Sequence, residues 1–437
     1  MSSLSMRAIL EQDMQSWSRR LHRPLIEALL KDLEAWPEMR ASAPDSEEDA
    51  VRRWSRFLRH HVEVLHGEID QLHRQYAVFM QRYDGSATGE ERQRHMLEYA
   101  AQLGSSAKEL AEDRKAFSRW FDLDALRDRM QRRLAERERR MAFALRCLGS
   151  MVARELLVLD RSERGSRWHT MALEELLRPL LAYEGDERVA EAAFVCLASS
   201  LRQLPRGIRL VSVSDATLQY IYRAAMESRH GTRIQRAALA LLAELSMDSF
   251  RIVVRKRLER PGKRSDDIFV RRRVVALLAA YLAQHRELVE LMPLALGDPS
   301  PYVRQGLATA LARQRFADVR PWLAQLARHD DSPKVRAAAW VALARERKPA
   351  GKEREWALDL FCDALEQEQD PFALRVALVM AGELFARMCA DNSVRPAERE
   401  AWQKRLLPCL KALHEQADSL LIRREAARVA ERIWVHG

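Results

Sequence analysis

Residues 298–304 read Asp-Pro-Ser-Pro-Tyr-Val-Arg, and residues 330–336 read Asp-Asp-Ser-Pro-Lys-Val-Arg. Each stretch has an aspartate six residues before an arginine, with a serine and a proline between them. Serine and aspartate are favoured at helix starts, and a proline in the first helical turn has no N–H group to leave unpaired. The two stretches therefore predict the start of a helix in two copies of one repeat.

Further copies of this pattern extend over the second half of the chain. Residues 370–375 read Asp-Pro-Phe-Ala-Leu-Arg, and weaker copies are centred on Val189, Ile234, Val270 and Ile422. Successive copies lie 32 to 48 residues apart, which is the length of two helices and their loops. One helix pair cannot bury its apolar stripe, so the copies must stack on one another. We predict an α-solenoid of about seven helix pairs.

A proline also precedes several of these copies, inside the predicted first helix of the pair. The prolines are Pro179, Pro293, Pro321 and Pro408. With the spacing of Asp and Arg, they make the chain resemble the HEAT-repeat family, strongly over residues 285–385 and moderately over residues 171–437. The resemblance implies that the Asp and Arg side chains form a ladder between neighbouring units and are not a binding site. The ladder residues that it implies are Asp298, Arg304, Asp330, Arg336 and Arg375.

The composition is typical of an all-α protein with more than one region. With 437 residues the chain is too long for one compact core, and its 47% of hydrophobic residues are enough to bury cores. Ala, Leu, Arg and Glu dominate, whereas Gly numbers only 15, and almost no stretch has the character of a strand. We predict a helical bundle over residues 1–160 and a HEAT-like repeat solenoid over residues 171–437.

The predicted bundle consists of helices longer than those of the repeats. From Glu48 to Tyr83, for example, apolar residues recur every three or four positions, which indicates one long amphipathic helix. Short connections between such helices favour an antiparallel bundle or a helical hairpin, which could cap the first repeat or serve as a partner-binding arm. The other predicted helices lie at residues 6–36, 89–117 and 123–159.

The chain is basic, with a formal net charge of +10 and a pI of about 9.6. Its most basic stretch, Arg251–Arg273, holds ten basic and three acidic residues. Loops of a solenoid align along one edge, so this stretch could follow a nucleic-acid backbone or bind an acidic protein. A GC-rich genome, which favours Arg codons, or a solvated loop explains the same charge. The residues of this candidate basic patch are Arg251, Arg255, Lys256, Arg257, Arg260, Lys263, Arg264, Arg271, Arg272 and Arg273.

We predict no catalytic, cofactor or metal site. Arg59 and His66 match the loose R-x(4–6)-H pattern of the HEPN ribonucleases, but about five such matches arise by chance with this many Arg and His residues. Glu63 and His66 match half of a di-iron site, and the second half is missing. The five cysteines form no C-x-x-C pair and favour a reducing compartment. Because neither a signal peptide nor a membrane span is predicted, we expect a cytoplasmic protein.

These patterns favour a non-enzymatic scaffold or adaptor that binds a partner protein on the solenoid surface. One alternative is a nucleic-acid-binding solenoid that uses Arg251–Arg273, and a second is a helical enzyme of the nuclease or glycosylase type. Trp434 lies three residues from the end of the sequence on the last predicted helix, so we expect either a partner docked near it or a sequence cut from a longer chain. Core packing is predicted for five tryptophans that lie on or beside apolar helical stripes: Trp54, Trp120, Trp322, Trp340 and Trp356.

Overall fold

A computed structural model of the chain divides into two compact units, Met1–Met247 and Asp248–Gly437. The residues that the structure describes are 19–37, 47–103, 123–158, 173–202, 213–227, 229–261, 265–314, 316–345, 352–390 and 394–436. Over these residues the chain is helical and contains no strand, so the predicted all-α class is confirmed. Helices are numbered α1 to α17 in chain order below.

The first unit begins with long helices, as predicted. Its helices are α1 (Arg19–Ala35), α2 (Glu47–Asp84), α3 (Gly89–Gln102), α4 (Leu123–Val158), α5 (Glu187–Arg202), α6 (Asp215–Met226) and α7 (Thr232–Leu245), and residues 173–181 are also helical. The predicted helix from Glu48 to Tyr83 corresponds to α2, and those starting at residues 89 and 123 correspond to α3 and α4. Parts of the predicted helices at 6–36, 89–117 and 123–159 lie outside the described residues.

Helices α2 and α4 form an antiparallel hairpin. Three contacts between them determine its direction, because the residue number rises along α2 as it falls along α4. The contacts are Arg59 to Glu155 at 3.6 Å, Glu68 to Arg137 at 2.8 Å and Tyr76 to Arg127 at 3.2 Å. At the far end of the hairpin, the rings of Phe79 and Tyr99 stack with centroids 4.6 Å apart, so α3 shares an apolar core with both helices.

Helix α4 also packs along α5, the second helix of the first pair. A Cβ atom added to Gly149 of α4 would lie 2.9 Å from the Cα of Cys196 in α5, so the two helices approach closely there. Further along α4, Glu138 accepts hydrogen bonds from the Tyr183 hydroxyl at 2.7 Å and from the Asp186 backbone N–H at 3.0 Å. This packing covers one side of the first pair, which is the position expected of a cap.

We expect Gly149→Ala to destabilise the first unit, by about 1 kcal/mol, although Ala is the better helix former by about 1 kcal/mol. The new methyl group would meet the Cys196 backbone at 2.9 and 3.0 Å, and overpacking of this kind costs about 1–3 kcal/mol. The matched control is Gly67→Ala within α2, where no atom lies within 4 Å of the added methyl group. Urea denaturation should show the control stabilised. Stabilisation of Gly149→Ala as well would contradict the close approach.

The second unit holds five helix pairs. Its elements are α8 (Met247–Glu259), α9 (Ser265–Tyr281), a 3-10 turn (Arg286–Leu291), α10 (Met292–Leu296), α11 (Pro301–Leu311), α12 (Phe316–His329), α13 (Pro333–Ala344), α14 (Lys352–Gln367), α15 (Pro371–Cys389), α16 (Pro396–Gln416) and α17 (Leu420–His436). The second helices of the pairs, α9, α11, α13, α15 and α17, pack each against the next. With the two pairs that follow α4, the described residues contain the seven predicted pairs.

The predicted boundary between the bundle and the repeats stays a prediction, because residues 159–172 lie outside those described. The division into compact units falls later, after Met247. It groups the first two helix pairs with the hairpin, since α4 packs closely on α5. Among the described helices, none combines the length and apolar character needed to cross a membrane.

Candidate interaction surfaces

A ladder of arginine–carboxylate pairs joins the second helices of the second unit. In each pair, the Nε and Nη2 atoms of an arginine donate to the two carboxylate oxygens of an acid that precedes the next second helix. The pairs are Arg271–Asp298 at 2.8 and 3.3 Å, Arg304–Asp330 at 2.7 and 2.9 Å, and Arg336–Glu368 at 2.7 and 2.7 Å. The planar guanidinium matches a carboxylate in this two-point geometry, so each pair aligns two neighbouring units.

The same residues also bind the turn within their own unit. Asp298 accepts a 2.9 Å hydrogen bond from the Ser300 backbone N–H, and its carbonyl oxygen accepts a 2.6 Å bond from Arg304 Nη1. The equivalent bonds recur one unit later, at 2.9 and 2.8 Å. The guanidinium groups of Arg304 and Arg336 are therefore bound by the protein itself. Their pKa values are raised, first by the side-chain hydrogen bonds to Asp330 and Glu368 respectively.

The predicted helix caps are observed in part. Asp370 accepts hydrogen bonds at 3.0 Å from the backbone N–H groups of Phe372 and Ala373, as a capping aspartate should. Ser300 and Ser332 precede their helices but make no capping bond with their hydroxyl groups. In those two units the ladder aspartates bind the serine N–H groups instead.

Arg375 does not belong to the ladder, and its predicted place there is wrong. When the prolines that begin α11, α13 and α15 are aligned, the acid before α15 is Glu368 and the residue six positions later is Leu374. Leu374 is buried, whereas Arg375 is exposed. A shift of one residue turns a side chain by about 100° around the helix, and this rotation takes Arg375 out of the ladder.

Substitutions at Arg336 and Arg375 should show whether an arginine stabilises the protein only when it lies at the ladder position. We expect Arg336→Ala to lower the free energy of unfolding by about 1–3 kcal/mol, because Glu368 is 7% exposed and would lose a two-point partner. Arg375→Ala should leave the midpoint of urea denaturation unchanged. If Arg375→Ala loses as much stability as Arg336→Ala, the predicted place of Arg375 in the ladder would be supported instead.

Two members of the candidate basic patch form ion pairs inside the second unit, the buried Arg271 and the half-buried Arg257. Arg271 is 1% exposed and belongs to the ladder, and it also contacts Asp267 one turn earlier. Arg257 of α8 contacts Asp267 at 3.3 Å, and its pKa is lowered by burial and by the nearby charge of Arg271. These side chains therefore link α8 to α9 inside the unit and do not face a ligand.

The other described members of the patch are dispersed. Arg251 and Arg255 both approach Glu290, at 4.0 and 2.8 Å. Arg272 lies over the ring of Tyr302, with 4.0 Å between its guanidinium carbon and the ring centroid. Lys256 and Arg260 are exposed, Arg273 is half-buried, and Lys263 and Arg264 lie outside the described residues. Carboxylates thus pair with Arg251, Arg255, Arg257 and Arg271.

Comparison with known proteins identifies the repeats. Residues 288–381 match a family model described as HEAT repeats. This segment belongs to the HEAT-repeat family. The match contains the two ladder pairs from Arg304 to Glu368, so HEAT units and ladder coincide. A comparison with curated proteins finds no match.

Several solved structures resemble this chain weakly. An engineered protein from a structural genomics consortium has a TM-score of 0.33 and 15% identity, and the alignment covers 92% of this chain and 99% of that one. A designed armadillo repeat protein has a TM-score of 0.25 and 15% identity over 60% of this chain and 99% of its own. A Kap121p mutant has a TM-score of 0.32 and 13% identity over 94% and 53%. The assignment of the HEAT units rests on the family match and the repeat geometry.

The residues of the loose ribonuclease pattern lie on α2, in the first unit. Arg59 contacts Glu155 at 3.6 Å, and His66 lies 4.0 Å from Asp70, one helical turn away. His61 stacks on Phe57 with ring centroids 5.4 Å apart, and burial lowers the pKa of this imidazole. In the described ranges, no three His, Cys, Asp or Glu side chains are placed to hold a metal ion.

The predicted burial of the tryptophans is confirmed in part, since Trp322 and Trp356 are half-buried and Trp120 lies outside the described residues. Trp54 and Trp340 are buried, whereas Trp434 is 72% exposed and its neighbour Val435 is 74% exposed. Both exposed residues lie on α17, the second helix of the last HEAT-like pair. The docking of a partner near Trp434 stays a prediction.

Proposed function

We propose that the protein is a non-enzymatic scaffold whose HEAT units bind a partner protein. The observation that carries this proposal is the distribution of exposed apolar side chains. Of the eleven large apolar side chains exposed in the described residues, nine lie between Asp248 and Gly437. Apolar side chains that gather on one part of a protein surface favour a protein interface.

The ladder limits which residues can take part in such an interface. Arg271, Arg304 and Arg336 bind carboxylates of the protein itself, so a partner must use other positions of the stacked helices. Stacked repeats offer extended surfaces that suit large partners. We infer that binding requires no cofactor. We also place the protein in the reducing cytoplasm, where its five cysteines stay free thiols.

Nucleic-acid binding through Arg251–Arg273 has weaker support, because carboxylates pair with several of these arginines. Within this stretch, Lys256 and Arg260 are exposed and are not members of those pairs. Reversing their charge should therefore disturb the pairs least. If the stretch binds duplex DNA, Lys256→Glu combined with Arg260→Glu should weaken binding and flatten its salt dependence. Unchanged affinity in a fluorescence anisotropy titration would remove this alternative.

The scaffold proposal predicts a specific protein partner that contacts the second unit. The full chain, immobilised and exposed to an extract of the native host, should enrich a partner that cross-links mainly to residues 248–437. The purified partner should then bind the full chain in solution with a measurable Kd. An unrelated basic helical protein on the same support serves as the control. Enrichment no greater than that of the control, or cross-links confined to residues 1–247, would contradict the proposal.

A further inference from the structure

One position of the HEAT unit carries an exposed apolar side chain in four of the five helix pairs of the second unit. It is the second residue of α11, α13, α15 and α17 and the fifth residue of α9, in each case two residues before the residue at the ladder position. The residues at this position, which we call the first-turn row, are Phe269, Tyr302, Lys334, Phe372 and Leu421. Their ladder positions hold Arg271, Arg304, Arg336, Leu374 and Arg423. The four apolar members are 39% to 60% exposed, and they are four of the nine exposed apolar side chains of the second unit.

A hydrogen bond within the last unit identifies Arg423 as the residue at its ladder position. Arg423 Nε donates to the carbonyl oxygen of Ala417, six residues earlier. Arg304 makes the same six-residue contact with the carbonyl oxygen of Asp298. Leu421 therefore occupies the position that Tyr302 occupies three units before.

The first two members of the row are in contact with each other. The rings of Phe269 and Tyr302 meet edge to face, with centroids 5.8 Å apart. The helices that carry the row pack in order from α9 to α17. Because packed helices lie about 8–10 Å apart, the five positions extend over roughly 40 Å.

Arginines accompany the row one helical turn further on. Arg272, Arg375 and Arg424 follow Phe269, Phe372 and Leu421 by three residues, and Lys334 lies in the row itself. Arg272 reaches into the next unit, where its guanidinium lies over Tyr302 and its Cγ would be 2.7 Å from a Cβ atom on Gly306. None of the five row positions or the five positions three residues later is acidic. Asp331, an exposed acid three residues before Lys334, is bound to Arg304, whereas Asp418, three residues before Leu421, is exposed.

We propose that the first-turn row binds an extended acidic segment of a partner protein, with apolar side chains at about every third residue. The proposal rests on the scaffold function above and specifies the chemistry of the partner. Apolar side chains of the segment cover Phe269, Phe372 and Leu421, and its carboxylates reach the row's lysine and the three arginines. An extended chain advances about 3.3–3.6 Å per residue, so three residues match the spacing of one unit.

A single-stranded nucleic acid fits the row less well than an acidic peptide does. Stacking of bases needs open aromatic faces. At Tyr302, Arg272 covers one face of the ring and Phe269 packs edge to face against it. Lys334 and Leu421 offer no ring to a base, which leaves Phe269, already in contact with Tyr302, and Phe372 as the row's other aromatic residues.

The experiment selects peptides from a phage-displayed library of random dodecapeptides on the immobilised full chain. The row variant is Phe372→Ser with Arg375→Glu, two exposed positions outside the ladder. A matched control, Ile252→Ser with Arg260→Glu, also removes one exposed apolar side chain and reverses one exposed charge, but on α8. A second row variant, Leu421→Ser with Arg424→Glu, repeats the test on α17, and urea denaturation checks that each variant is folded.

The enriched peptides should be acidic, with apolar residues at every third position. Each row variant should bind them about tenfold more weakly, or about 1.4 kcal/mol, while the control binds them as the unchanged chain does. Basic peptides, equal binding by a folded row variant, or no enrichment would overturn the proposal. The proposal would also be overturned if no peptides are enriched while the row variants lose binding to oligo(dT). That result would assign the row to nucleic acid. If a native partner binds the row variants normally, the scaffold function stands and the row proposal fails.

Discussion

Asp298→Ala is expected to lower the free energy of unfolding of the second unit by about 3 kcal/mol. The side chains of Arg271 and Asp298 are 1% and 0% exposed, so the substitution leaves a guanidinium in the interior without its two-point partner. It also removes the acceptor of the Ser300 backbone N–H. Removal of one partner from a buried ion pair costs about 3–5 kcal/mol, and the remaining contact of Arg271 with Asp267 favours the lower end of that range.

Urea denaturation of the full chain, followed by circular dichroism, measures this loss, and hydrogen exchange on peptides from α9 to α11 assigns it to the second unit. The double variant Arg271→Met with Asp298→Leu removes both charges and should recover much of the stability, because apolar side chains often replace a buried pair without loss. Arg375→Ala, outside the ladder, is the control. A stability of Asp298→Ala within about 0.5 kcal/mol of the unchanged chain would show that the pair contributes little.

Trp340→Ala is expected to have a similarly large effect, a loss of about 3–5 kcal/mol. Trp340 lies on α13, is 1% exposed, and packs against Phe361 of α14 with ring centroids 5.1 Å apart. The side chain therefore fills space between one helix pair and the first helix of the next. Its removal leaves a cavity at that junction, and the lost contacts add to the lost burial of apolar surface.

Two further variants make this prediction specific. Trp340→Phe keeps an aromatic ring and removes an indole N–H that has no acceptor among the described residues, so it should cost less than Trp340→Ala. Trp434→Ala removes a side chain that is 72% exposed and should leave the midpoint of urea denaturation unchanged. Equal losses for Trp340→Ala and Trp434→Ala would contradict the burial that distinguishes the two residues.

The long helices were predictable because their signal is local. Apolar residues at intervals of three and four placed α2 within one residue of its observed ends, and the prolines that begin α11, α13 and α15 marked their first turns. The antiparallel pairing of α2 with α4 was expected as one form of the bundle. Its register was not, because it depends on contacts such as Glu68 to Arg137 between residues far apart in the chain.

The ladder was predicted in part, and the errors have a common cause. Asp298 and Arg304 were assigned to one copy of the motif and to a ladder between neighbouring units, and each indeed pairs with a residue of a neighbouring unit. Arg271 was assigned to a basic patch instead, because no acidic residue lies six positions before it. The sequence did contain a signal for the place of Arg271 in the ladder. Arg271 follows a valine, and its partner Asp298 lies 27 residues later. Glu368 was overlooked because the alignment followed the Asp-Pro at residue 370.

The sequence by itself determined the all-α class, the seven helix pairs and the HEAT character of the central repeats. Periodicity, prolines and motif spacing are properties of neighbouring residues, and a helix forms largely in response to them. Only the tertiary structure decided that Arg271 is buried, that Leu374 displaces Arg375 from the ladder, and that Phe269 meets Tyr302. These outcomes depend on side chains from different helix pairs, which come into contact only when the pairs stack.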